Sequence, residues 1–130
     1  MQGREHRAEE QHVRIPIRYA SDGPVVASTA RQTALGWGLG RAMALRVAVV
    51  AAELASNVVH HGGGAGVVVL RRSAGRLSIT AEDRGPGVDS TPRSGLGIGW
   101  QVVRELSDEF VATARSGGGL CAEAVWERAG

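Results

Sequence analysis

Hydrophobic and polar positions alternate where the patterned part of the chain begins. In the segment VRIPIRY, residues 13–19, the side chains of Val13, Ile15 and Ile17 fall on one side of an extended backbone. This alternation predicts a strand. Pro16 has no backbone N–H to give to a neighbouring strand, so we expect this strand at a sheet edge.

In the next two segments, apolar residues recur at helical spacing. This spacing predicts a helix in residues 25–37, ending at Gly36 or Gly38, and a longer helix in residues 41–61. In the longer helix, five residues recur at helical spacing: Leu45, Val49, Ala52, Ser56 and Val59. Residues 100–110 predict a third helix with its own apolar stripe: Val103, Leu106 and Phe110.

Four more strands complete the pattern. Residues 67–72 and 76–83 are joined by Ser-Ala-Gly, and the last two strands, in residues 111–116 and 120–126, flank a run of three glycines; both arrangements predict hairpins. The order of elements predicts an α+β fold, a two-layer sandwich of a mixed sheet with helices on one face. We expect residues 1–12 to form a disordered tail and residues 13–130 a single domain.

The composition of the chain argues against several classes of function. The chain of 130 residues has a net charge of +2, and all of its basic residues are arginine. Without lysine it has neither a P-loop nor the strand lysine of eukaryotic-type protein kinases. Scattered arginines and few aromatic residues argue against a nucleic-acid surface. A single cysteine, a polar start and no obvious membrane span predict a soluble cytoplasmic protein.

Two polar residues stand out in the long apolar helix. Glu53 and Asn57 are four positions apart and therefore lie one turn apart on the same face. They are either a solvent-facing pair or a general base beside a metal ligand, because an Asn carbonyl oxygen is a suitable donor for Mg²⁺.

The segment EDRGPGVD places a carboxylate at the end of a strand. Asp83 continues the inward set of Leu77, Ile79 and Ala81, so we expect it to point into the same interior. There it could accept a hydrogen bond from an exocyclic amine such as that of adenine. Glycines after Asp83 would let a flat base lie against the backbone; the plainer alternative is an ordinary Gly-Pro-Gly turn.

A second glycine cluster, SGLGIGW, precedes the predicted third helix. Gly95, Gly97 and Gly99 expose backbone N–H groups at a helix start, which is a favourable place for phosphates. A similar run at residues 36–40 follows no strand or acidic residue, and we interpret it as a turn between helices.

Taken in order, these three segments resemble the motifs of the GHKL ATPase superfamily. ELASNVVHHG is similar to the N box, EDRGPGV to the G1 box and GLGIG to the G2 box. Within the superfamily the chain most resembles the anti-sigma-factor serine/threonine kinases, and among them the RsbT type. The resemblance extends over residues 13–127 and implies the Bergerat ATP-binding fold.

The resemblance also implies a role for each matched position. Glu53 would be the catalytic base, and Asn57 would hold Mg²⁺ on ATP. The other implied ATP-binding residues are Asp83, Gly85, Gly87, Arg93, Gly95, Gly97 and Gly99, with Asp83 on the adenine amine.

The sequence departs from the family pattern in two places. The ATP lid between the G1 and G2 boxes is cut to VDSTPRS, residues 88–94, in which Arg93 is the only arginine. In the last hairpin, Leu120 stands where the family often has threonine.

The function implied by the resemblance is an ATP-dependent serine/threonine kinase that phosphorylates a STAS-domain regulator in a bacterial partner-switching circuit. Two alternatives stay open: an anti-sigma factor that sequesters a sigma factor, and a catalytically weak ATP-binding module with a shortened lid. A phosphatase and a second copy of the chain are further candidate partners, whereas nucleic acid and membrane are not expected.

Overall fold

The computed structural model describes residues 10–61, 65–83, 96–114 and 119–127. Within them the chain forms three α-helices and five strands. They are, in chain order, β1 (Gln11–Ile17), α1 (Gly23–Gly36), α2 (Arg41–His61), β2 (Gly66–Ser73), β3 (Arg76–Asp83), α3 (Leu96–Leu106), β4 (Glu109–Ala114) and β5 (Leu120–Trp126). β1 begins at Gln11, so the last two residues of the predicted tail belong to the sheet.

The strands form a single sheet in the order β1-β2-β3-β5-β4. All four pairings in the described residues are antiparallel, so the predicted mixed sheet is wrong in this respect. The reason is the placement of β5. It lies between β3 and β4, which run parallel to each other but never pair. The predicted edge position of β1, with Pro16, is confirmed.

Both predicted hairpins are present, although β4 begins two residues earlier than predicted, at Glu109. The turn between β2 and β3 has positive φ at Ala74 (50°) and Gly75 (80°). Two consecutive residues with positive φ are the signature of a type I′ turn, whose twist matches that of the flanking strands.

One hydrophobic core lies between the helices and the inner face of the sheet. β1 contributes Ile15 and Ile17, as predicted, and β3 contributes Leu77, Ile79 and Ala81. Trp126 is 2% exposed and donates its indole N–H to the carbonyl of Leu106 at 2.7 Å. This bond fixes the end of α3 against the end of β5.

The buried face of α2 is not the stripe of residues 45, 49, 52, 56 and 59 that recur at helical spacing. Leu45 is 57% exposed, and the other four residues of that stripe are only half-buried. The side chains that face the core are Ala44, Val47, Val50, Ala51, Leu54, Ala55 and Val58. α2 is apolar on almost all sides, so several stripes share helical spacing and periodicity alone cannot choose among them. By length and composition it could span a membrane, but here it is a core helix packed on the sheet.

The third helix begins and ends earlier than predicted. It ends at Leu106, where Ser107 donates its hydroxyl to the carbonyl of Val103 at 2.7 Å. Asp108 then accepts a hydrogen bond from the backbone N–H of Glu127 at 2.8 Å. These local bonds turn the chain, and Phe110 therefore lies in β4 rather than in the helix.

Candidate functional site

The predicted general base lies against the first turn of α3. Glu53 and Asn57 are one turn apart on α2, and both are half-buried. A Cβ placed on Gly99 would lie 2.6 Å from Glu53 Oε1. The carboxylate of the N-box segment and the backbone of the G2-box segment are thus in direct proximity.

An aromatic contact holds that turn of α3 in place. Trp100, the residue after Gly99, packs edge-to-face on Phe110 of β4 with ring centroids 5.4 Å apart. The guanidinium of Arg104, one turn along α3, lies 5.6 Å from the centroid of the same Phe110 ring. The start of α3 is therefore tied to the edge of the sheet.

Asn57 carries an unused hydrogen-bond donor. Its Nδ2 is shielded from solvent and donates to no other group in the described part of the chain. A buried donor without an acceptor costs about 1–3 kcal/mol. The donor is suited to an acceptor supplied by a ligand, and phosphate oxygens have this chemistry.

Asp83 lies at the end of β3, as predicted, and is 5% exposed. Its strand neighbour is Gly66, the first residue of β2. A Cβ on Gly66 would overlap the carbonyl oxygen of Glu82 and would lie 2.8 Å from Val58 Cγ1 and 3.0 Å from Asp83 Cα. Since Val58 follows Asn57 on α2, Gly66 is the point where the N-box helix and the G1-box strand meet.

Gly119 lies against Asp83 on the side opposite Gly66. Its φ of +95° favours glycine. A Cβ here would overlap the carbonyl oxygen of Asp83 and would lie 3.0 Å from Asp83 Oδ1. The backbone before β5 consequently lies directly on the residue predicted to recognise adenine.

Gly66 and Gly119 were not predicted as site residues. Gly119 ends the run of three glycines that predicts the second hairpin, and Gly66 ends a glycine-rich segment that follows α2. The composition of a glycine run indicates a turn, but a single sequence does not show which of its glycines a distant segment approaches.

The other predicted site residues fall into two groups. Gly97 and Gly99 lie inside the first turn of α3, so the expectation that they precede the helix is wrong. A first turn tolerates glycine because its N–H groups have no intrahelical partners, which leaves them available to an anion. Gly85, Gly87, Arg93 and Gly95 lie outside the described residues.

Comparison with known proteins identifies the family of this chain. The sequence model of the histidine kinase-like ATPase domain family matches residues 15–126, a range that includes all the elements of the candidate site. The chain belongs to the histidine kinase-like ATPase family. The GHKL resemblance and the α+β Bergerat fold expected from it are confirmed.

One sequence relative and one solved structure are similar to this histidine kinase-like ATPase domain. The serine/threonine-protein kinase RsbT of Bacillus subtilis (strain 168) is 30% identical, over 86% of this chain and 96% of RsbT. A crystal structure of the SiaB-SiaC complex from Pseudomonas aeruginosa matches with a TM-score of 0.66, covering 93% of this chain and 90% of that one. At 16% identity, the latter similarity supports the fold alone.

Proposed function

We propose that this histidine kinase-like ATPase domain is a serine/threonine protein kinase that transfers the γ-phosphoryl group of ATP to a protein partner. The observation that carries the proposal is the position of Glu53. Its carboxylate lies at the first turn of α3 and one helical turn from Asn57, whose buried Nδ2 has no acceptor among the described residues. Phosphoryl transfer depends mainly on positioning and charge stabilisation, with a base that orients the attacking hydroxyl, and these groups could supply parts of each.

The residues present fit a bound nucleotide. Asp83, in contact with Gly119 and facing the interior, would accept the hydrogen bond from the adenine amine. The N–H groups at the start of α3, near Gly97 and Gly99, would hold phosphate oxygens. Asn57 would direct Oδ1 to Mg²⁺ and Nδ2 to a phosphate oxygen. The ion, when bound, would neutralise charge on the phosphates.

In the proposed reaction, Glu53 accepts the proton of a partner serine or threonine hydroxyl. The bond from that oxygen to the γ-phosphorus forms as the bond from the γ-phosphorus to the bridging oxygen breaks, and ADP leaves. Glu53 then returns the proton to solvent. General base catalysis of this kind typically contributes about 10²–10⁴-fold in rate.

For the partner we propose a STAS-domain regulator, in a bacterial partner-switching circuit located in the cytoplasm. The similarity to a kinase named RsbT supports the kinase class, and the fold shared with a protein crystallised in a complex is consistent with a protein partner. Residues 13–130 would act as the kinase domain.

The test uses the purified protein, γ-labelled ATP and the STAS-domain protein encoded beside it. We expect label on a serine or threonine of the STAS protein, identified by mass spectrometry. A stable complex with a co-encoded sigma factor, without any transfer, would instead support an anti-sigma factor. ATP binding with neither transfer nor such a complex would indicate a nucleotide-binding module whose short lid does not support catalysis.

A further inference from the structure

The sequence pattern assigns Gly99 to the phosphates, but the structure places the carboxylate of the predicted base beside it. Among the described residues outside its own helix, the heavy atoms that a Cβ at this position would meet within 4 Å belong to Glu53: Oε1 at 2.6 Å and Cδ at 3.7 Å. A separation of 2.6 Å is shorter than real Cβ atoms show, so any other residue at position 99 would displace this carboxylate.

We propose that Gly99 is a positioning residue for Glu53. The missing side chain leaves the space into which the Glu53 carboxylate fits, over the first turn of α3. This proposal rests on the proposed kinase function for its effect on transfer, but the contact itself can be tested without any activity.

The geometry indicates which atoms would move after substitution. Glu53 Oε1 is the free end of a flexible side chain, whereas Gly99 is fixed in a helix that Trp100 anchors on Phe110. An added methyl group would therefore shift the carboxylate and leave the helix in place. Alanine is also a better helix former than glycine, so Gly99→Ala should fold.

A small shift of the base is enough to reduce transfer. Misplacing a reacting group by about 1 Å can cost on the order of 10²-fold in rate. We therefore expect Gly99→Ala to lose on the order of 10²-fold in transfer while its Kd for ATP stays within about threefold of wild type. If Gly99 acted mainly on the phosphates, ATP affinity would fall together with transfer.

Gly36→Ala is the matched control. Gly36 also lies within a helix, at the end of α1, but a Cβ there meets no atom of the described residues outside that helix within 4 Å. This variant adds the same methyl group without a neighbour and should transfer at the wild-type rate.

Two double-mutant cycles decide the proposal. If Gly99 acts through Glu53, Glu53→Gln with Gly99→Ala should transfer no more slowly than Glu53→Gln alone. Independently of activity, Gly99→Ala should raise the melting temperature more in a Glu53→Ala background than in wild type, by about 2 °C or more.

If Gly99→Ala shifts the melting temperature equally in both backgrounds, the proposal is overturned, because the methyl group at position 99 and the Glu53 side chain would then not meet. Transfer by Gly99→Ala within about threefold of wild type, or parallel loss of ATP affinity, would also overturn it. If wild type transfers nothing, the proposed kinase function fails, but the temperature cycle still decides whether Gly99 positions Glu53.

Discussion

Gly119 lies so close to Asp83 that no side chain fits between them. The backbone before β5 contacts the carbonyl oxygen of Asp83, and a Cβ on Gly119 would come within 3.0 Å of the carboxylate. On the opposite side, Gly66 of β2 approaches Asp83 Cα in the same way. Asp83 is therefore flanked on both sides by backbone that carries no side chain.

Gly119→Ala should weaken ATP binding by about tenfold or more, because the methyl group would displace the Asp83 carboxylate. Gly75→Ala is a close control, since Gly75 also has positive φ, but a Cβ there meets no atom within 4 Å in the described part of the chain beyond its two chain neighbours. Calorimetry on both variants separates backbone strain, which they share, from the contact with Asp83. Equal ATP affinities for the two variants would argue against a role for Gly119 at the adenine site.

Asp83→Asn should also weaken ATP binding. The amide presents a donor where the adenine amine needs an acceptor, and such a buried mismatch costs about 1–3 kcal/mol. A suitable control is Glu105→Gln, which removes an exposed carboxylate from α3 and should bind ATP normally. If Asp83→Asn and Glu105→Gln have the same Kd for ATP by calorimetry, Asp83 does not recognise the base.

Asn57→Leu should separate stability from binding. Leucine has a similar shape and removes the buried donor Nδ2, which has no acceptor in the described part of the chain. We expect the nucleotide-free variant to melt at or above the wild-type temperature, since an unsatisfied buried donor is destabilising. The rise in melting temperature that Mg²⁺-ATP gives the wild type should be lost. A variant that still gains this ATP-dependent rise would exclude Asn57 from the nucleotide site.

Asp22 should make stability depend on pH in the acid range. Hydrogen bonds from the backbone N–H groups of Arg18 (2.7 Å) and Tyr19 (2.9 Å) lower the pKa of Asp22. A lowered pKa in the folded state gives stability above the unfolded pKa, and that stability is lost as pH falls through the folded pKa. Chemical denaturation from pH 6 down to about pH 3 should show a smaller decline for Asp22→Asn than for wild type. Identical declines would contradict this.

Much of the fold could be predicted from local pattern. The bounds of α2 and β5 agree with the structure, because a helix of 21 residues and a hairpin strand each carry a clear period. The buried face of α2 could not be predicted from the sequence. Leu45 and Leu54 both lie on apolar stripes with helical spacing, and only packing against the sheet buries Leu54 rather than Leu45.

The candidate site could be outlined only in part, for a related reason. Motif order selected Glu53, Asn57 and Asp83 as candidate residues, and the structure places the first two on one helix and the third at a strand end. Gly66 and Gly119 approach Asp83 only because strand pairing brings distant segments together. Local spacing contains no information on such contacts, and so glycine runs in the sequence predicted turns but not which residue lies against the carboxylate.

The most direct test of the central claim compares wild type with Glu53→Gln, measuring ATP affinity and phosphoryl transfer on the same samples. Glutamine keeps the shape of the side chain and its position against Gly99, but it cannot accept the proton of the attacking hydroxyl. We predict an ATP Kd within about threefold of wild type and transfer to the STAS protein reduced by about 10²–10⁴-fold. Transfer by Glu53→Gln at the wild-type rate, with the same ATP affinity, would contradict the account.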